Sequence, residues 1–179
     1  MIKDVIITNR LILKSIQKED CHDLLDILNS DEVGRFINKI DNLESVEKLI
    51  ARKIEKYKIN LGESFSVVEK ASLKVIGNFE LKINETEKYA EISYVFNDNF
   101  WNRGYATESA LAVIDYVRNN LDVDRIIADC LENNLSSCHI LKDKLKMEQI
   151  GVETRIDKTT NKPLNYLCFE LHLKNNTLI

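Results

Sequence analysis

Proline occurs once and glycine five times in 179 residues. A chain so poor in both cannot be collagen-like, linker-rich or of low complexity. Long apolar runs are missing too: nothing approaches the roughly 20 residues that a membrane-crossing helix needs. The opening Met1-Ile2-Lys3-Asp4, with Asp4 and Arg10 interrupting the apolar stretch, holds no signal-peptide core. The expectation is a cytoplasmic protein with no membrane partner. Basic charge is not in surplus, since 25 Lys and Arg against 29 Asp and Glu leave −4. That argues against a nucleic-acid partner, which needs clustered cations, and fits a neutral or cationic one. Cys21, Cys130, Cys138 and Cys168 form no C-x-x-C pair, and His22, His139 and His172 are scattered. No zinc spacing exists, so no metal is expected. The thiols read as buried small hydrophobes in a reducing compartment.

What is present is an ordinary globular mix, 44% hydrophobic and 30% charged, long enough for one domain over 1–179. Val5 to Leu13 reads as a first strand. A helix follows over Lys18 to Leu28, then another from the cap at Asp41–Glu44 through Val46, Leu49, Ile50, Ile54 and Tyr57, ended by Gly62. Ser64–Glu69 and Val75–Ile83 are strands around the turn Ala71–Lys74. After the turn Glu85–Lys88, Tyr89–Phe96 alternates with the period of a strand, Ala90, Ile92, Tyr94 and Phe96 facing one way. A helix with Thr107, Ala110, Leu111, Ile114, Val117 and Leu121 on its stripe comes next, then the β-rich run Asp124–Leu131. A second helix carries Leu135, Cys138, Leu141 and Leu145. Two last strands, Gln149–Ile156 and Leu164–Leu173, flank the turn Thr159–Pro163. The order is α+β: one mixed, mostly antiparallel sheet of about seven strands with helices on both faces.

The window Ile92–Ser109 carries the chemistry. A strand ends, a short irregular stretch turns, and a helix opens at Arg103-Gly104-Tyr105-Ala106-Thr107. A helix start offers free N–H groups and partial positive charge. After a strand, with a Gly and a small Ala, it can cradle a diphosphate on bare backbone, and Arg103 can add a charged contact. A plain Gly-containing helix start explains the same residues equally well. There is no G-K-[ST] and no G-x-G-x-x-G, which disfavours nucleotide hydrolysis and dinucleotide binding.

The segment Phe100-Trp101-Asn102-Arg103-Gly104-Tyr105-Ala106-Thr107-Glu108-Ser109 resembles the acetyl-CoA loop of the GNAT superfamily of N-acetyltransferases. Its W-x-x-G-Y-A-T-E form is similar to the branch of ribosomal-protein N-terminal acetyltransferases. Thr8-Asn9-Arg10-Leu11-Ile12-Leu13, Ile76-Gly77-Asn78 and Glu132-Asn133-Asn134-Leu135-Ser136-Ser137 resemble further motifs of that branch, in its order. Two departures stand out. The K-L-G-F that commonly ends the second family helix reads Lys144-Leu145-Lys146-Met147, and that helix is one residue longer than usual. The tyrosine that many members use as a general acid is absent from Ser136 to Met147.

The resemblance implies a GNAT-like acyl-CoA N-acyltransferase fold and acetyl transfer from acetyl-CoA to an amine by direct attack, without a metal. The acceptor would be a peptide N-terminus or a small-molecule amine, the protein a monomer or homodimer. The reaction needs a base for the amine and an N–H donor for the thioester oxygen. The backbone of Tyr94, Val95 and Phe96 would hold the pantetheine arm, and Asn102, Arg103, Gly104, Tyr105, Ala106 and Thr107 the diphosphate. Glu91 is the favoured base, with a solvent-facing strand carboxylate as its bland alternative. Glu80 comes second, and Asp129 and Glu132 are weaker. Glu108 matches the loop motif and also suits the helix dipole. Asn134 would contact the cofactor or merely cap its helix, and Ser137 would protonate the departing sulfur or bond backbone. Trp101 and Phe100 read as packing residues. A Cys–His acyl-enzyme through Cys130 and His139 has no triad context. The alternative to an enzyme is an acetyl-CoA-binding regulatory module of the same fold.

Overall fold

The computed structural model describes residues 5–59, 62–157 and 159–173. The run expected as one first strand is broken into β1 (Ile6–Ile7) and β2 (Leu11–Ser15), folded back with Ile6 opposite Leu13. The break has a local cause. The Thr8 hydroxyl accepts the Leu11 N–H at 2.9 Å while the Thr8 N–H donates to the Leu11 carbonyl, closing a tight turn. A 3-10 turn at Lys18–Asp20 leads into α1 (Cys21–Leu28), where one helix was expected throughout. A four-residue helix, α2 (Asp31–Gly34), follows, capped by Ser30. Then α3 (Leu43–Ile59) opens with Asn42 Oδ1 accepting the Ser45 N–H.

Next come β3 (Gly62–Glu69), β4 (Val75–Asn84), β5 (Tyr89–Phe96), α4 (Tyr105–Asn120), β6 (Arg125–Leu131), α5 (Leu135–His139), β7 (Glu148–Ile156) and β8 (Pro163–His172). Gly62 opens β3 rather than ending α3. Its φ is +128°, and a Cβ there would lie 2.1 Å from the Leu81 carbonyl oxygen. Among the described residues these eight strands form one sheet in the order β1-β2-β3-β4-β5-β6-β8-β7. All neighbours run antiparallel except β5 and β6, which are parallel because α4 crosses between them.

Helices cover both faces. Ala110, Val113, Ile114 and Val117 of α4 pack on Phe65, Phe79, Leu81 and Ile92. On the opposite face Leu24, Ile27, Val46 and Ile50 of α1 and α3 close over Val68 and Val75. Two expected core positions are not buried: Leu111 is 45% exposed and Leu135 76%. Leu111 lies off the stripe that α4 buries, and Leu135 is the first residue of a five-residue helix. No helix among the described residues is long and apolar enough to cross a membrane.

Candidate active site

The parallel pair β5–β6 has three rungs, Tyr89↔Arg125, Ala90↔Ile126 and Glu91↔Ile127. Beyond them β5 stays on β4 as far as Gly77↔Phe96, while β6 stays on β8 as far as Leu131↔Tyr166. The sheet therefore forks. Tyr94, Val95 and Phe96 lie in the diverging limb, where one edge of β5 has no strand to satisfy its backbone groups. The Phe96 carbonyl is engaged by Trp101 Nε1 at 2.8 Å. Trp101 and Phe100 pack on the core, as their bulk suggests.

Past β5 the chain makes a 3-10 turn at Asp98–Phe100 and reaches α4 through two left-handed residues, Asn102 (φ +58°) and Gly104 (φ +78°). Gly104 is the N-cap of α4 and has no side chain to cap it, so the N–H groups of Tyr105, Ala106 and Thr107 face outward. A Cβ on Gly104 would have only Arg10 Nη2 near it, at 3.5 Å. The mouth of the loop is open to a ligand, and its donors suit a diphosphate.

Arg10 braces this loop. Its guanidinium donates to the Arg103 carbonyl at 2.9 Å and to Glu108 Oε2 at 2.7 Å, and it stands 4.4 Å from the centre of the Tyr105 ring. Glu108 Oε1 also accepts from the Thr8 hydroxyl and the Arg10 N–H. Burial pushes the Glu108 carboxyl up, but these donors outweigh it and hold it below its usual range. The opening-strand motif and the loop motif are thus one structure: Thr8 and Arg10 grip Glu108.

The candidate bases fall into distinct settings. Glu91 sits on the last rung of the fork, on the face opposite α4, about one third exposed and paired with Lys82 at 2.5 Å. Glu80 is enclosed by Lys53 and Tyr57. Burial pushes its carboxyl up, but Lys53 and the Tyr57 hydroxyl prevail and leave it below the usual range. That network leaves Glu80 little freedom to take a proton. Asp129 pairs with Arg155 at 2.6 Å, and Glu132 accepts from Asn165.

Across the fork, Asn134 Oδ1 accepts the Ser137 N–H at 3.1 Å, so Asn134 caps α5. After α5 the chain makes a π-turn, Ile140–Lys144, closed by the Leu145 N–H on the Ile140 carbonyl, which takes up one residue more than an α-helical turn. Lys146, where a glycine would be usual, is left-handed at φ +58°. Ser137 Oγ lies 3.1 Å from the Tyr94 hydroxyl. Cys130 and Cys138 place their sulfurs 3.2 Å apart beside it. Burial, with Cys138, pushes the Cys130 thiol up to about 12. His139 bonds Asp143 rather than either thiol, so no acyl-enzyme pair is assembled. Among the described residues no group of three or more His, Cys, Asp or Glu is placed to hold a metal ion.

The sequence singles out the loop, Glu91 and Ser137 as candidates, but it assigns no role to Arg10, Thr8 or the Tyr94 side chain. The pairing of Thr8 and Arg10 with Glu108 spans about a hundred residues, and nothing local signals it.

The family model for the acetyltransferase (GNAT) domain matches residues 10–147. The uncharacterised N-acetyltransferase YnaD of Bacillus subtilis is 29% identical over 146 residues, 82% of this chain and 84% of that protein. A putative ribosomal-protein-serine acetyltransferase from Vibrio cholerae superposes with a TM-score of 0.82 at 19% identity, covering 94% of this chain and 97% of that one. RimL, a ribosomal L7/L12 α-N-protein acetyltransferase solved with coenzyme A, gives 0.83 at 14% identity, over 95% and 98%.

Proposed function

The chain belongs to the GNAT acetyltransferase family and is an acetyl-CoA-dependent N-acetyltransferase, and we propose that its acceptor is the free amine of a peptide N-terminus. The observation that carries the mechanism is the fork, with Glu91 at its vertex and the uncapped start of α4 at its mouth. Bound acetyl-CoA supplies an acetyl group activated as a thioester. The N–H groups of Gly104, Tyr105, Ala106 and Thr107, with Asn102 and Arg103 beside them, hold its diphosphate. The free edge of β5 at Tyr94 and Val95 bonds the pantetheine arm and donates an N–H to the thioester oxygen. Phe96 helps through its position, since its carbonyl is occupied by Trp101. Glu91 takes the proton of the incoming amine, directly or through one water, and Ser137 meets the departing sulfur.

The acceptor reading is supported by the half-open face around Glu91 and Ser93 and by the protein substrates named for the Vibrio cholerae protein and RimL. The eight strands among the described residues share one sheet, which supports a single domain over 1–179. The test follows CoA release with acetyl-CoA and a panel of short peptides with free N-terminal Ser or Ala, polyamines and aminoglycosides. Turnover of a peptide is expected, and turnover confined to a small amine would move the acceptor there. Tight binding of acetyl-CoA with no turnover of anything would instead indicate a regulatory module. Glu91→Gln should lower kcat by about 100-fold or more with acetyl-CoA binding intact. Unchanged kcat would remove Glu91 from the mechanism.

A further inference from the structure

Tyr94 stands three residues beyond the last rung of the fork, on the core face of β5. Its ring stacks on Phe79 with centroids 5.8 Å apart and tilts against Phe96 at 6.3 Å. These contacts fix the ring, and its hydroxyl crosses the fork to Ser137 Oγ on α5. Burial pushes that hydroxyl up to about 12, so it keeps its proton through the neutral range. A serine hydroxyl has one proton to give and two lone pairs to receive. Either hydroxyl can donate across this contact; when the more acidic phenol donates into one lone pair, the Ser137 proton is freed for another acceptor. The Cys130 thiol is within reach of the same hydroxyl, but a neutral sulfur is a weak acceptor.

We propose that Tyr94 is a positioning residue for the departure of CoA: it donates to Ser137 Oγ and so aims the Ser137 proton at the sulfur that becomes a thiolate. This rests on the reading that acetyl-CoA threads the fork with its sulfur beside Ser137. In the transfer the amine nitrogen bonds the acyl carbon, the carbon–sulfur bond breaks, and its electron pair passes to sulfur. The amine proton goes to the base. Ser137 stabilises the new charge by a hydrogen bond without giving up its proton, and the thiolate takes a proton from water as it leaves. A chain of two donors is stronger than one, because each bond polarises the next. The tyrosine missing from α5 is thus replaced by one reaching across from β5.

The test titrates CoA bound to the protein, reading the ultraviolet absorbance of the thiolate with the desulfo-CoA complex as blank. The bound thiol should ionise about two- to fivefold more readily in the wild type than in Tyr94→Phe, the part of the Ser137–thiolate bond that the Tyr94 donor strengthens. Ser137→Ala should show at least the same change, and Tyr94→Phe added to Ser137→Ala should add nothing. In turnover Tyr94→Phe should lower kcat about two- to fivefold with the KM for acetyl-CoA unchanged. If Tyr94→Phe leaves the ionisation alone while Ser137→Ala shifts it, the proposal falls and the placement of the sulfur stands. If Tyr94→Phe only weakens CoA and desulfo-CoA binding equally, the role is packing and the proposal falls. If neither variant matters, the sulfur lies elsewhere and the roles of both residues fall together. If CoA does not bind the wild type, the acetyl-transfer reading itself fails.

Discussion

Three backbone positions show how single residues set the site. Gly104 needs its left-handed φ and leaves the loop mouth clear, with no protein atom but Arg10 Nη2 near a would-be Cβ. Gly77 has a different reason: a Cβ there would lie 2.6 and 2.7 Å from ring carbons of Phe96 and 2.9 Å from the Val95 carbonyl. Gly77→Ala should therefore cost about 2–3 kcal/mol by overpacking, read as a lower urea midpoint. Because Phe96 ends the free limb of the fork, acetyl-CoA affinity should fall with it. A variant as stable as the wild type would show that the Phe96 ring moves aside without penalty. Lys146 is the converse case, exposed and left-handed where glycine would be at ease. A left-handed non-glycine residue costs about 1–2 kcal/mol, and glycine returns part of that as unfolded-chain entropy. Lys146→Gly should stabilise the fold by about 0.5–1 kcal/mol in urea unfolding, with acetyl-CoA binding unchanged. A loss of stability would mean that the Lys146 side chain contributes more than its backbone costs.

Among the elements, the turn between β1 and β2 and the first turn of α4 behave as one unit through Thr8, Arg10 and Glu108. Arg10→Ala should raise the KM for acetyl-CoA about three- to tenfold with kcat nearly unchanged, since a multiply bonded Arg is worth more than an exposed pair. An equal fall in kcat would place Arg10 closer to the reacting atoms than its geometry does. The pH dependence has a definite sign. Glu108 is held below its ordinary range in the folded protein, so its contribution is complete above the unfolded carboxylate value of about 4.3. It is lost as pH falls through the lower folded value. Glu108→Gln should flatten that acid limb in a stability–pH profile. These couplings mark the boundary of what sequence reveals. The helix α4, the strand β5 and the loop between them were legible because period and glycine placement are local signals. The break between β1 and β2 depends on one threonine hydroxyl finding the Leu11 N–H, which no period encodes. The π-turn was foreshadowed only as one residue too many. The enclosure of Glu80 by Lys53 and Tyr57 requires α3 to lie over β4, a tertiary fact that alternation along β4 cannot supply.

At the scale of the whole molecule, the forked sheet is a compromise between closure and function. Two half-sheets joined by three rungs leave part of β5 without backbone partners, at a cost that a packed sheet would avoid. Ile92 of β5 and Ile126 of β6 share one core with Val113 and Ile114 of α4, and α4 also meets the π-turn that follows α5, so the fork does not come apart. A ligand bonded to the free edge should then stabilise the native state by mass action. At 100 times its dissociation constant acetyl-CoA should add about 2.7 kcal/mol, which for a chain of this size raises Tm by roughly 5–10 °C. The distribution of that gain is the sharper expectation. Amide exchange should slow most at Ile92–Phe96 and at the first turn of α4, where the N–H groups acquire partners. It should change least in the β7–β8 hairpin, at the far edge of the sheet. Protection spread evenly over all strands would indicate global stabilisation without threading, and protection confined to α4 would mean that the diphosphate is held while the pantetheine arm lies outside the fork.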